Sequence, residues 1–206
     1  MAGPRAVHRL LAVVSLLAFA LSCSAAPPPV YDTDGHELSA DAKYYVLPAA
    51  GGHGGGLTMA RHTSECPLFV AQATDELRKG FPVRFTPLPE QQGGGGGDRT
   101  VRVSTDVGIY FAAVTTCVQT TEWHVPGGGE PRRRHVVTGP VRSRSPSGRE
   151  KVFRVERHGG AYKLASCSDS CRDLGVFRDE TPGASAWLGA SDDGPHVVVF
   201  KKAPPF

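Results

Sequence analysis

The apolar residues of this chain fall into short alternating runs, each cut off by glycine, proline or aspartate before a second helical turn could form. Segments 44–47, 83–86, 100–104, 108–113, 136–138, 151–155, 162–166, 186–188 and 197–201 all carry the period-two pattern or β-branched content of strands. Only LFVAQATDELRKG (68–80) offers an i, i+3/i+4 apolar spacing, and Gly80-Phe81-Pro82 breaks it soon after. With 25 Gly and 17 Pro between the runs, the sequence predicts an all-β, turn-rich fold.

Two strand–turn–strand units stand out. VFRVERHGGAYKLASC alternates Phe153 and Val155 against Arg154 and Glu156, turns at Gly159-Gly160, and returns through Tyr162 and Leu164. RVSTDVGIYFAAV bends at Ser104-Thr105-Asp106. A third begins near residue 30, so units start at about 30, 100 and 150 and any internal repeat is irregular. Within the third, Asp32-Thr33-Asp34-Gly35 looks like a cation loop. A calcium loop of the EF-hand type, however, needs Gly at position 6 and Glu at 12. Here Gly falls at position 4 and Lys43 at 12, so a polar turn shaped by Asp32 and Asp34 is expected, with Leu38, Tyr44 and Val46 facing inward.

Arg5 and Arg9 precede an apolar run at 10–21 and a small-residue stretch through Ala25, which reads as an export signal over 1–25. That run is too short to span a bilayer. The remaining 26–206 form one domain, secreted or vacuolar, whose formal charge falls from +3 to about +1. Such a balance recruits neither nucleic acid nor a membrane surface. Removing Cys23 leaves Cys66, Cys117, Cys167 and Cys171, which allow three pairings in an oxidising compartment. The C-S-D-S-C spacing favours a local clip and would leave Cys66 and Cys117 to close a long loop, stabilising by about 3–4 kcal/mol in the chain-entropy treatment. The chain contains no asparagine, so no N-glycosylation acceptor exists.

Catalytic patterns fail one after another. GASAW around Ser185 lacks the closing glycine of a nucleophile elbow. His62, Glu65 and Cys66 lie close together, but Cys66 is needed for a disulfide, which argues against zinc. The tracts GGHGGG (51–56) and GGGGG (93–97) are not followed by Lys-Ser/Thr, so flexible surface loops are expected there and not phosphate cradles. His124 and His196 border strand-like segments and lack an acidic neighbour. Arg132, Arg133, Arg134, Arg142, Arg144 and Arg149 form a basic cluster without aromatic residues for base stacking, and a solvated loop is expected. No enzyme emerges, and a disulfide-stapled scaffold of this kind suits binding through preformed loops.

The stretch Val30-x-Asp32-x-Asp34-Gly35-His36-x-Leu38, followed by Tyr44-x-Val46, resembles the amino-terminal signature of the Kunitz soybean-trypsin-inhibitor family. GGGLTMAR, CPLFVAQ, GFPVRFTP, STDV, TTCVQTTEWHV, SPSGRE, YKLASC, DLGVFRD and HVVVFKKAPP extend the likeness over the chain from Ala26 onward, toward the family's bifunctional α-amylase/subtilisin inhibitors of cereal grains. The resemblance implies a β-trefoil of twelve strands with pseudo-threefold symmetry, and disulfides Cys66–Cys117 and Cys167–Cys171.

It also implies a monomeric, non-enzymatic seed inhibitor of a plant's own α-amylase and of subtilisin-type serine proteases, acting through separate surfaces. For the protease, Val114, Thr115, Thr116 and Cys117 are expected to form the binding loop. The stretch Pro87-Leu88-Pro89-Glu90 lies where trypsin-directed relatives bind but offers no Arg or Lys. For the amylase, the resemblance points to Ser104, Lys163, Asp173, Asp192 and Asp193. Lys163 would meet the catalytic carboxylates, and Asp173 and Asp193 would meet basic groups or hydrated calcium at the interface. No cofactor is expected. A storage or carbohydrate-binding trefoil without inhibitory activity is the alternative.

Overall fold

The computed structural model describes residues 26–62, 66–88, 99–117, 120–127, 134–141, 147–178 and 185–205. Six strands close into a barrel: β1 (Tyr44–Pro48), β4 (Val83–Pro87), β5 (Asp106–Phe111), β9 (Phe153–His158), β10 (Ala161–Ser166) and β13 (Val197–Lys202). Each pairs antiparallel with the next in that order, and β13 pairs back to β1, so the ring has no free edge. Alternation along every strand sends one face inward. The interior is filled by Tyr44 and Val46, Val83 and Phe85, Ile109 and Phe111, Phe153 and Val155, Tyr162 and Leu164, and Val198 and Phe200, all buried. Phe200 meets Phe85 edge-on at 5.6 Å and Tyr162 at the same centroid distance, joining three strands in one aromatic layer.

The remaining strands form three hairpins over one end of the barrel. They are β2 (Leu57–Ala60) with β3 (Phe69–Gln72), β6 (Trp123–His124) with β8 (Val137–Thr138), and β11 (Arg172–Arg178) with β12 (Ala186–Ala190). A further short strand, β7 (Arg134–His135), pairs with β12, while β8 and β12 both pair with β3. Three successive four-strand units therefore start at β1, β5 and β10, and the fold is a β-trefoil. The described residues hold thirteen strands, one more than twelve, because one strand kinks at Val136. The Val136 N–H donates to Leu188 O (2.8 Å) and its carbonyl accepts from Val70 N (2.9 Å), so the chain leaves β12 for β3 at that residue.

Several sequence expectations need correction. LFVAQATDELRKG is not helical: its first half is β3, and Asp75 then closes a turn by accepting from Leu77 N (2.9 Å), leaving Leu77 exposed. Pairing on both edges of β3 outweighs the local periodicity. Segment 100–104 makes only isolated bridges, to Pro29 and Ser39. The 51–56 tract is not a loose surface loop throughout, because Gly55 and Gly56 are buried and their N–H groups donate to Ala73 O (2.7 Å) and Arg78 O (2.8 Å). Of the basic cluster, Arg134 pairs with Asp169 (3.0 Å), and Arg149 with the buried Asp106. Arg132, Arg133, Arg142 and Arg144 lie outside the described residues, as do Glu65, Pro89, Glu90, segment 93–97 and segment 1–25.

The opening turn is as the sequence predicts. Asp32 Oδ1 accepts from Asp34 N (3.0 Å) and His36 N (2.9 Å), Gly35 takes φ 81°, and Leu38, Tyr44 and Val46 are buried. This segment runs against 99–103, with Val30 N bonded to Val101 O (2.9 Å), and Thr33 N reaches Phe200 O (2.8 Å).

Two predictions follow from the packing. Gly80 has φ 73°, and a Cβ there would sit 1.9 Å from Leu57 O. Gly80→Ala should cost more than about 2 kcal/mol and lower Tm by roughly 4–8 °C. At Gly159 φ is also positive but nothing lies within 4 Å, so Gly159→Ala should cost only about 1 kcal/mol; thermal unfolding of the pair separates collision from dihedral strain. His196 is held neutral, its pKa lowered from 6.5 to about 4 chiefly by burial, with His53 and Arg178 adding repulsion. Between those values the unfolded chain binds the proton and the native one does not, so stability is lost as pH falls from 6.5 toward 4. The loss is about 3 kcal/mol, and urea titrations should show a shallower pH slope for His196→Leu.

Candidate functional site

Two exposed features sit at opposite ends of β5. Beyond its last residue the chain bends through Ala112, whose N–H donates to Pro82 O (2.8 Å), and Ala113 packs on the core. Val114 then projects fully into solvent, the most exposed large apolar residue among those described. Thr115 Oγ1 accepts from Cys117 N (3.1 Å), and Cys117 is tied to Cys66 with Cα atoms 5.5 Å apart. The 114–117 loop is thus fixed by a strand at one end and a covalent bond at the other, with Val114 and Thr116 exposed between them. Such a loop loses little freedom when a partner seats on it. The alternative stretch can be followed only to Leu88, whose N–H donates to Asp106 O (3.0 Å).

At the other end lies a connected polar strip. Ser104, at φ 60°, donates its hydroxyl to Glu156 Oε2, and its N–H bonds Val155 O (2.9 Å). Glu156 stands opposite Lys163 across the β9–β10 hairpin. Lys163 Nζ pairs with Asp173 Oδ2 at 2.8 Å, and the Asp173 carbonyl accepts from Ser191 N (3.0 Å). Ser191 Oγ in turn accepts from Asp193 N (3.0 Å), while Arg172 holds Asp192 (2.7 Å). Ser104, Lys163, Asp173, Asp192 and Asp193 therefore belong to one contiguous patch. The Cys167–Cys171 clip pins its edge directly before β11, and Asp169 within the clip is held by Arg134.

Lys163 is not a solitary cation: its charge is answered within the chain, so a partner carboxylate would have to compete with Asp173. Glu156 and Arg172 escaped the sequence reading. The Gly159-Gly160 turn does fix the hairpin register that sets Glu156 against Lys163, whereas nothing local links Arg172 to Asp192. Among the described residues no three His, Cys, Asp or Glu side chains gather to hold a metal ion. Asp173 is engaged by Lys163.

A closed β-trefoil carrying one clipped, protruding loop and a separate self-paired polar strip defines a scaffold that meets partners with preformed surface. The chain belongs to the Kunitz legume family: residues 30–202 match that family's model, described as trypsin and protease inhibitor. It is 67% identical over 202 residues to an alpha-amylase/subtilisin inhibitor of Oryza sativa subsp. japonica, covering 95% of this chain and 94% of that one. It is 59% identical over 184 residues to an endogenous alpha-amylase/subtilisin inhibitor of Triticum aestivum, covering 87% and 99%. Among solved structures, the rice bifunctional alpha-amylase/subtilisin inhibitor from Oryza sativa superposes with a TM-score of 0.73 at 65% identity, covering 86% of this chain and all of that one.

Proposed function

We propose that this protein inhibits a plant's own α-amylase and subtilisin-type serine proteases, through separate surfaces and as a monomer. The observation that carries the proposal is the placement of the two features. The 114–117 loop and the strip from Ser104 to Asp193 flank the two ends of β5, a six-residue strand that separates them by roughly 20 Å. The names of the cereal relatives, each with both activities in one chain, support the same assignment.

On the protease side, Val114, Thr115 and Thr116 enter the active-site cleft as an extended, substrate-like segment, and Cys117 with its disulfide resists the distortion that cleavage requires. On the amylase side, Lys163 exchanges Asp173 for catalytic carboxylates of the enzyme. Asp173 and Asp193 then face basic groups or a hydrated calcium ion supplied by the amylase. No catalytic role and no resident cofactor are assigned. The export signal at 1–25 would place the 26–206 domain in a secretory or vacuolar compartment of the seed.

Side-by-side assays of subtilisin and a cereal α-amylase test this. Wild-type protein should inhibit both; inhibition of neither would favour a storage role, and saturable sugar binding a lectin. Lys163→Ala should weaken amylase inhibition at least about tenfold, equivalent to about 1.4 kcal/mol, with subtilisin inhibition unchanged. An unaltered amylase inhibition constant would remove Lys163 from the interface. Thr116→Pro should show the reverse pattern, and normal subtilisin inhibition by that variant would exclude the 114–117 loop.

A further inference from the structure

A cleft of about 540 Å³ opens between the 48–56 turn, the end of β11 and the start of β13. It is unrelated to either surface assigned above. Gln72 on β3 and Arg178 on β11 both stand opposite Ala186 of β12, so their side chains share one face of the sheet. Both line the cleft, together with His53 and His196.

Gln72 is only 3% exposed, yet its Nε2 has no hydrogen-bond partner, and neither does His196 Nε2. Of the seven such orphaned buried side-chain atoms among the described residues, these two belong to residues that line the same cleft. Buried polar groups in folded proteins are ordinarily paired, and two unpaired ones in the wall of one cleft are hydrogen-bonding capacity that a bound ligand would satisfy.

The surrounding chemistry narrows the class of ligand. Arg178 Nη2 donates to His53 O (2.9 Å), which steadies the guanidinium at the cleft and leaves further N–H donors on the same fork. His196 is anchored by its own N–H to Leu174 O (2.7 Å). The Arg178 guanidinium places a fixed positive charge at the cleft, and no Asp or Glu lines it among the described residues.

The other walls are apolar, from Ala49, Val176, Pro195 and Val197. Gly54 makes this geometry accessible: at φ 93° it lets the turn lie over Gln72, where a Cβ would fall 2.8 Å from Ala73 O and 3.3 Å from Gln72 Cδ. The GGHGGG tract thus delivers His53 to the cleft.

We propose that this cleft binds a small organic carboxylate with an apolar body, its charge met by Arg178 and Gln72 and its body lying on the proline, alanine and valine walls. The volume lies within the range of small-molecule sites, about 300–1,000 Å³, and the arrangement of a few convergent polar groups on apolar walls is typical of them.

Titration of the intact protein with benzoate, followed by NMR, tests the assignment. Benzoate should shift the Gln72 side-chain amide and the His196 ring signals saturably. Benzamide, of the same shape without the charge, and inorganic phosphate, with charge and no apolar body, should each bind at least about fivefold more weakly. Gln72→Leu and Arg178→Gln should weaken benzoate to a similar extent while leaving subtilisin inhibition as in the wild type. Absence of saturable shifts at Gln72 and His196 into the millimolar range would overturn the proposal. Equal binding of benzamide would overturn its charged half, and equal binding of phosphate its apolar half. Because the wild-type shifts are read directly, the outcome does not depend on how well either variant folds.

Discussion

Closure of the six-strand ring is the constraint on which the rest of the molecule depends. The pairing of β10 with β13 and of β13 with β1 removes the last open edge and obliges each strand to turn alternate residues inward. Because the interior is small, one pair of apolar side chains per strand fills it. Trp123 is completely buried against Phe111 (5.2 Å) and Phe153 (6.1 Å), linking the hairpin cap to the ring. The cap hairpins would bury too little on their own to persist; they are stable because this interior supports them from below.

Electrostatics then fixes what the ring presents. Asp106, at the start of β5, is 3% exposed and accepts from Arg154 Nε (2.6 Å) on β9 and from Arg149. Arg149 Nε also reaches Cys167 O (3.4 Å), so one buried carboxylate connects the Ser104 bend, the β9 strand and the small disulfide clip. Charge-assisted bonds of this kind are short and directional. The polar strip is therefore placed by an ion-pair framework beneath it, whereas the 114–117 loop is placed by a covalent bond.

Much of this was legible in the residues and some was not. The Asp32 turn and the 153–166 hairpin were readable because local chemistry decides them: an Asx-type acceptor in one, alternation around Gly-Gly in the other. Strand β3 was not, since its Phe69–Gln72 segment continues into a stretch whose spacing resembles a helix and only pairing with distant strands settles the matter. The kink at Val136 was equally hidden, because it depends on Leu188 and Val70 lying on either side. The same holds for Arg134 and Arg149, which read as a solvated basic run until Asp169 and Asp106 are brought to them. Threefold order is a property of the topology: it recurs in the strand pattern while the intervening loops vary too freely for a period to survive in the sequence.

The internal pairing of Lys163 bears on how a partner would find this molecule. With Asp173 at 2.8 Å and Glu156 across the hairpin, the positive charge of Lys163 is offset within the chain, and what field it keeps is screened beyond a Debye length, about 8 Å at physiological ionic strength. A negatively charged group drifting nearby receives almost no long-range guidance toward Lys163. For a partner docking on this strip, discrimination would rest on the lifetime of the docked state, after counter-ions are traded at close quarters, and not on the frequency of encounter.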